Sequence, residues 1–256
     1  MSDIEHYFSI HNRSWDCLGE ISAHEKQARI DLATCYRLSA KMQWDDGIYT
    51  HISAVVPGEP QAYLINQFGL RFEEVTPFNL VKVDILGNIL NGTGPVNISG
   101  FAIHGAIHAA RSDARCVFHL HNEAGIAVSA QAKGLLPLSQ QAMRFYQDLA
   151  FHPYQGLALS ASEQNELIAN LGNKKAALLR NHGSLVCGST IPQAFYLMHT
   201  LDKACNIQLK ISDLDQVLFP TDSICSQTYE QLCVDGDAEG QIEWPAFQRY
   251  LLNSFH

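Results

Sequence analysis

Apolar and polar positions along the chain change period repeatedly, from helical spacing to short apolar runs and back. Ile30, Leu32, Ala33, Tyr36 and Leu38 recur near helical spacing and predict a helix from Ser22 to about Gln43. Asp45-Asp46-Gly47 interrupts it, and Ile48–Val56 reads as a strand closed by Pro57-Gly58. Short strands are expected at Ala62–Gln67 and at Leu80–Ile85, the latter turning at Leu86-Gly87-Asn88, followed by a Gly- and Asn-rich loop over 91–100. A helix over Phe101–Arg111, a strand over Cys116–His121 and a helix from Glu123 to about Gln131 come next. The second half continues with strands at Gly156–Leu159, Ala176–Leu179 and Ser184–Cys187 and a helix at Ser162–Leu171. Pro192 suits the first turn of a last long helix reaching about Ser212. Residues 1–20 show no clear period and read as a loosely attached lead-in.

This alternation, without repeat or linker, predicts one α/β domain. Its expected limits are 25–215, with a lead-in over 1–24 and an extension over 216–256 packed on the same domain. At 256 residues and 46% apolar composition the chain can bury a full core. A formal net charge of −9 argues against nucleic-acid binding, which needs clustered Lys and Arg. No run approaches the roughly 18 apolar residues of a membrane span. The acidic start Met-Ser-Asp-Ile-Glu-His does not look like a signal peptide, so a cytoplasmic protein is expected. Seven scattered cysteines without a C-x-x-C pair fit buried apolar roles rather than a disulfide or zinc framework.

Candidate chemistry concentrates in histidines. In His119-Leu120-His121, two residues apart on a strand share a face, the geometry that two metal ligands need; two polar residues on a solvated strand end are the plainer alternative. His182, in Arg180-Asn181-His182-Gly183, sits where another apolar run meets a turn and is the third candidate. Three imidazoles would leave a position open on a Zn²⁺ ion, which suits catalysis better than a purely structural role. His104 and His108 lie one helical turn apart and compete as ligands. Gly105 stands where the metalloprotease pattern has its Glu, and packing or support roles fit this pair better.

Several separate motifs resemble one family. Pro95-Val96-Asn97-Ile98-Ser99-Gly100-Phe101-Ala102-Ile103-His104, Ile107-His108-Ala109-Ala110-Arg111 and His119-Leu120-His121 are similar to class II aldolase/adducin proteins. So are Gly134-Leu135-Leu136-Pro137-Leu138-Ser139 and Leu179-Arg180-Asn181-His182-Gly183. The resemblance covers roughly 25–215 and is nearer to the adducin head and its bacterial relatives than to sugar-phosphate aldolases. It implies an α/β fold, a three-layer α/β/α domain with a central, largely antiparallel sheet, assembled as a homo-oligomer (tetramer or dimer). It also implies His119, His121 and His182 as ligands of Zn²⁺, with Fe²⁺ and Mn²⁺ as alternatives.

The departures bear on function. The acid/base Glu of the aldolases falls at about Gly100, so a carboxylate is missing there. Of the phosphate cradle, His51 stands near the Asn and only Ser99 survives of two serines, which disfavours a phosphorylated sugar; His51, Ser99 and Gly100 are the substrate-side candidates. Glu123 and Tyr146 are candidate replacements for the acid/base group, with Tyr154 as a second phenol. Helix capping for Glu123 and packing for the tyrosines are the plainer readings. The expected function is a zinc-dependent aldehyde-lyase on a small non-phosphorylated hydroxy-carbonyl substrate. A non-catalytic adducin-like scaffold and a non-haem iron oxygenase are the alternatives. Actin association, which adducin makes through regions including a basic C-terminal tail, is not expected, since the chain closes on Leu252-Asn253-Ser254-Phe255-His256.

Overall fold

The computed structural model describes residues 2–9, 15–156, 161–213 and 216–253, with the side chains of 98, 99 and 161 not described. Chain order is α1 (Asp3–Ser9), α2 (Ala23–Lys41), β1 (His51–Val56), β2 (Glu59–Asn66), β3 (Leu80–Asp84), β4 (Ile89–Asn91), α3 (Ile98–Ala110) and β5 (Cys116–Leu120). Then follow α4 (Glu123–Ser129), α5 (Gln140–Met143), β6 (Leu149–His152), α6 (Ala161–Leu171), β7 (Ala176–Leu179), β8 (Gly183–Gly188), α7 (Ile191–Leu209), α8 (Asp222–Leu232) and α9 (Trp244–Leu252). The strands form one sheet in the order β4-β3-β2-β1-β5-β8-β7-β6. Only β6 and β7 run parallel; every other neighbouring pair is antiparallel. The expected α/β class with a largely antiparallel central sheet is what the chain forms.

Strand alternation divides each strand between two helical layers. Ile52, Ala54, Val56, Cys116, Phe118 and Leu120 point to one face, where α2 and α7 supply Leu32, Tyr36, Leu38, Phe195, Leu197 and Met198. Val117, Leu185 and Cys187 point to the other, against Ile103 and Ile107 of α3 and Leu167 and Leu171 of α6. The polar residues His51 and Ser53 share that second face, so the strand alternation of His-Ile-Ser-Ala carries two polar side chains beneath α3.

Helix starts follow local chemistry. Ser22 Oγ accepts from Glu25 N at α2, and Thr190 Oγ1 accepts from Gln193 N at α7, with Pro192 in the first turn as expected. The outer segments join the core through a few anchors. Ile4 and Phe8 of α1 are buried in the α2/α7 layer, so this part of the lead-in is held by two apolar side chains. Trp244 of α9 is also buried there and its indole N–H donates to Asp31 at 3.1 Å.

Three local expectations change. The first strand starts at His51 rather than Ile48, because 47–50 form a turn whose Tyr49 N–H donates to the Asp46 carbonyl at 3.0 Å. The strand expected at Gly156–Leu159 lies almost wholly outside the described residues, and Gly156 itself is in a bend. The strand of that region is β6, whose parallel pairing with β7 is a long-range choice that no local period announces. Strand β4, three residues at the sheet edge, takes in Asn91, the first residue of the expected 91–100 loop, together with Ile89 and Leu90.

Candidate metal centre

Strand β1 ends its lead-in turn at His51, and β5 runs antiparallel beside it with His51 directly opposite His119. On the other flank of β5 lies β8, which begins at Gly183 immediately after the β7–β8 turn. That turn needs Asn181 at φ 55°, a left-handed conformation that Asn tolerates better than most residues. His182 is thereby carried to the same sheet edge as the end of β5. Gly183 permits the approach, since a Cβ there would lie 2.4 Å from the Leu120 carbonyl oxygen.

His119, His121 and His182 converge. Their ring centroids are 5.1, 4.8 and 4.9 Å apart pairwise, and one ligand atom of each lies within 4.8 Å of the others. In two of the three rings the nitrogen facing away is occupied. His121 Nδ1 donates to Asp46 Oδ2 at 2.8 Å, and His119 Nδ1 donates to the Ser184 carbonyl at 3.4 Å. Each contact leaves Nε2 as the lone-pair nitrogen. His121 Nε2 is buried without a protein partner, an orphan that a bound cation would satisfy. Burial and the neighbouring imidazoles hold His182 down at about 4 and His119 well below its ordinary range. Neutral rings are what a metal needs from histidine. Three converging imidazoles, with His119 and His182 held neutral by burial, therefore fit a divalent transition metal such as zinc.

His104 and His108 are not part of this group. Both face Ser53, whose Oγ lies 2.6 Å from His104 Nδ1 and 2.7 Å from His108 Nε2, while His108 Nδ1 is 2.8 Å from the Ala114 carbonyl. A carbonyl only accepts, so His108 carries its proton on Nδ1 and Ser53 donates to His108 Nε2. Ser53 then accepts from His104 Nδ1–H, leaving His104 Nε2 bare. This chain of fixed direction explains why the i, i+4 pair does not turn outward as a chelate.

The substrate-side candidates fall unevenly. His51 is buried and held down at about 3, chiefly by desolvation, and neither ring nitrogen has a protein partner. Its ring stands 5.5 Å from that of His104 and 5.9 Å from that of His119, between α3 and the cluster. Gly100 faces it directly: a Cβ at 100 would lie 2.6 Å from His51 Nε2. The backbone of Ser99 is in α3, but its side chain lies outside those described.

Neither acid/base candidate is brought to the cluster. Glu123 is exposed in the first turn of α4 and lines a polar groove with Asp45 and Asp202. The Tyr146 hydroxyl donates to Asp222 at the start of α8, 3.0 Å away. The nearby phenol is Tyr154, 55% exposed, with its ring 6.3 Å from that of His182. Tyr154, His152, Glu163 and Arg180 line a small cavity beside His182. Asp46 was not a candidate in the sequence, where it is one of three residues that break the chain; only the fold sets it against His121.

The profile of the Class II Aldolase and Adducin N-terminal domain matches residues 30–209. The chain belongs to the class II aldolase and adducin family. Its structure superposes with a TM-score of 0.89 on an aldolase II superfamily protein from Pseudomonas syringae, 44% identical, covering 92% of this chain and 96% of that one. L-fuculose 1-phosphate aldolase from Glaciozyma antarctica gives a TM-score of 0.80 at 25% identity, covering 93% and 94%. Alpha-adducin of Mus musculus is 43% identical over 190 residues, 73% of this chain but only 26% of the adducin. The chain is thus similar both to a named aldolase and to part of a much longer adducin.

Proposed function

We propose that this member of the class II aldolase and adducin family is a zinc-dependent, aldol-type lyase acting on a small, non-phosphorylated hydroxy-carbonyl compound. The observation that carries this reading is the convergence of His119, His121 and His182, with the outward nitrogens of His119 and His121 engaged and His121 Nε2 left bare. A divalent ion held by these three imidazoles would supply Lewis-acid polarisation of a carbonyl and stabilise an enediolate. The residues do the rest. His119 and His121 are held as Nδ1–H tautomers, and β5, β8 and the β7–β8 turn bring the three rings together. Tyr154 is the hydroxyl placed to hold or deliver a proton at a departing oxygen. The position of the missing carboxylate is filled by the His51 ring.

Two features support a substrate without phosphate. A phosphoryl group is recognised by several donors or cations, and the arginine nearest the triad in sequence is already engaged. Arg180 donates to the carbonyls of Ser129 and Gln131 at 2.9 and 2.6 Å and lies over the Phe151 ring. The nearest charged partner of the cluster, Asp46, is itself anionic. A dimer or tetramer in the cytoplasm is part of the same reading.

The similarity to alpha-adducin and the absence of a carboxylate at 100 favour one second reading, a non-catalytic oligomeric scaffold. Elemental analysis of protein purified without added metal or a His-tag separates the two. Close to one zinc per chain, with trapping of an aldehyde from a small hydroxy-carbonyl compound, is expected. No metal after incubation with Zn²⁺, Mn²⁺ or Fe²⁺ would establish the scaffold instead. Iron, with consumption of oxygen, would replace the lyase by an oxygenase.

A further inference from the structure

The loop between α2 and β1 reaches the triad through Asp46. Trp44 anchors it, buried against Phe195 and with its backbone N–H on the Ser39 carbonyl at 3.0 Å. Two residues on, the Asp46 carbonyl closes the turn to Tyr49, and Gly47 takes φ 58° to let the chain reverse into β1. The turn fixes the Asp46 backbone from both sides while its carboxylate projects to His121 Nδ1 at 2.8 Å. Two neighbouring carboxylates are committed elsewhere. Asp45 faces Arg71 at 3.9 Å, and Asp202 accepts from Asn122 and Asn206 at 2.8 and 3.0 Å. Among the described residues, no other ion pair reaches an imidazole of the triad.

We propose that Asp46 is a positioning residue of the metal centre, which holds His121 as its Nδ1–H tautomer with Nε2 toward the ion and strengthens that nitrogen as a donor. This rests on the three-histidine reading of the site. It adds what the other two ligands lack: His119 has a neutral carbonyl at a long 3.4 Å, whereas His121 has a full negative charge at close range. A carboxylate behind a ligating imidazole fixes its ring orientation and raises its basicity, and losing such a partner weakens metal binding about 10- to 100-fold. His121 lies beyond its strand, since β5 ends at Leu120, whereas His119 sits inside it. The sheet therefore holds this ring less firmly than it holds His119, and the side-chain contact supplies the missing constraint.

The test measures zinc affinity by competition with a chromophoric chelator, alongside the ¹⁵N shifts of the imidazoles in the metal-free protein. Asp46→Ala is expected to weaken zinc about 10- to 100-fold. Asp46→Asn, which keeps an acceptor oxygen but loses the charge, should fall between, and Asp46→Glu should recover part of the loss. Asp45→Asn makes the same change in net charge next door and should cost no more than about fivefold. In a His121→Ala background, Asp46→Ala should add nothing. Unchanged zinc affinity in Asp46→Ala, or the same loss with His121 already removed, would overturn the assignment. The ¹⁵N spectrum reads the contact without metal: an Nδ1–H tautomer at His121, lost in Asp46→Ala, is expected, and an Nε2–H tautomer in the unaltered protein would refute it. Failure of the unaltered protein to bind zinc would count against the metal reading, while the spectrum would still decide the Asp46–His121 relationship.

Discussion

The Nε2 edge of the His51 ring lies 2.6 Å from where a Cβ on residue 100 would be built, so the imidazole fills the space that any side chain at Gly100 would need. Residues 51 and 100 are far apart in sequence, on β1 and in the first turn of α3, and each makes sense of the other. A glycine in a helix costs about 1 kcal/mol against alanine; here it makes room for a buried ring.

This relationship predicts a reversal of sign. Gly100→Ala should destabilise the protein by about 1–3 kcal/mol, the range for forcing an added group into a packed interior. In a His51→Ala background the obstruction is gone, and the same substitution should stabilise by up to about 1 kcal/mol through helix propensity alone. Urea unfolding of the four proteins gives the coupling energy directly. Equal effects in both backgrounds would show that the two residues do not share the space.

The triad and the neighbouring pair are separable. His119→Ala and His182→Ala should each abolish stoichiometric zinc, whereas His108→Ala should retain it, because His108 is tied to Ser53 and Ala114 instead. Metal content after dialysis is the measurement. Full occupancy in either of the first two would remove that residue from the ligand set.

The Ser53 chain predicts a pH dependence of stability. Burial holds His108 at about 4 and His104 well below its ordinary range, while both titrate near about 6.5 in the unfolded chain. Below about pH 6.5 the unfolded state therefore binds protons that the folded state does not. Stability of the metal-free protein should be level above about pH 7 and fall as pH drops through 6.5 toward about 4. Each such histidine contributes at most about 1.4 kcal/mol per pH unit. Urea melts between about pH 7.5 and about pH 5 should show this slope, reduced by about one proton in His108→Gln. An unreduced slope would mean that His108 is not one of the groups responsible.

A buried ion pair ties the C-terminal segment to α5. Arg144 and Glu239 are 2% and 5% exposed, and the guanidinium donates from both Nε and Nη2 to the carboxylate. Arg144→Ala would leave Glu239 buried without its counter-charge and should cost about 3–5 kcal/mol, whereas Arg144→Met with Glu239→Leu should recover most of it. Denaturant midpoints of the single and double variants check this. A single variant as stable as the parent would show that water reaches Glu239.

What the sequence determined by itself was whatever depends on short-range pattern. Strand alternation put His119 and His121 on one face, Pro192 marked the start of α7, and the ordered motifs from Pro95 to Gly183 identified the family. The absence of a carboxylate at 100 was equally legible, because it is a matter of residue identity. The tertiary structure decided which distant groups meet. It brought His182 to His119 and His121 by pairing β5 with β8, and turned His104 and His108 inward onto Ser53. It took Tyr146 to Asp222 and left Tyr154 beside His182. It also set Asp46, locally only a helix breaker, behind His121. The physical reason is one of range: periodicity and propensity report how a segment lies against its own surroundings, whereas a hydrogen-bond partner or a filled cavity exists only once β1, β5, β8 and α3 have packed, and no residue carries that information alone.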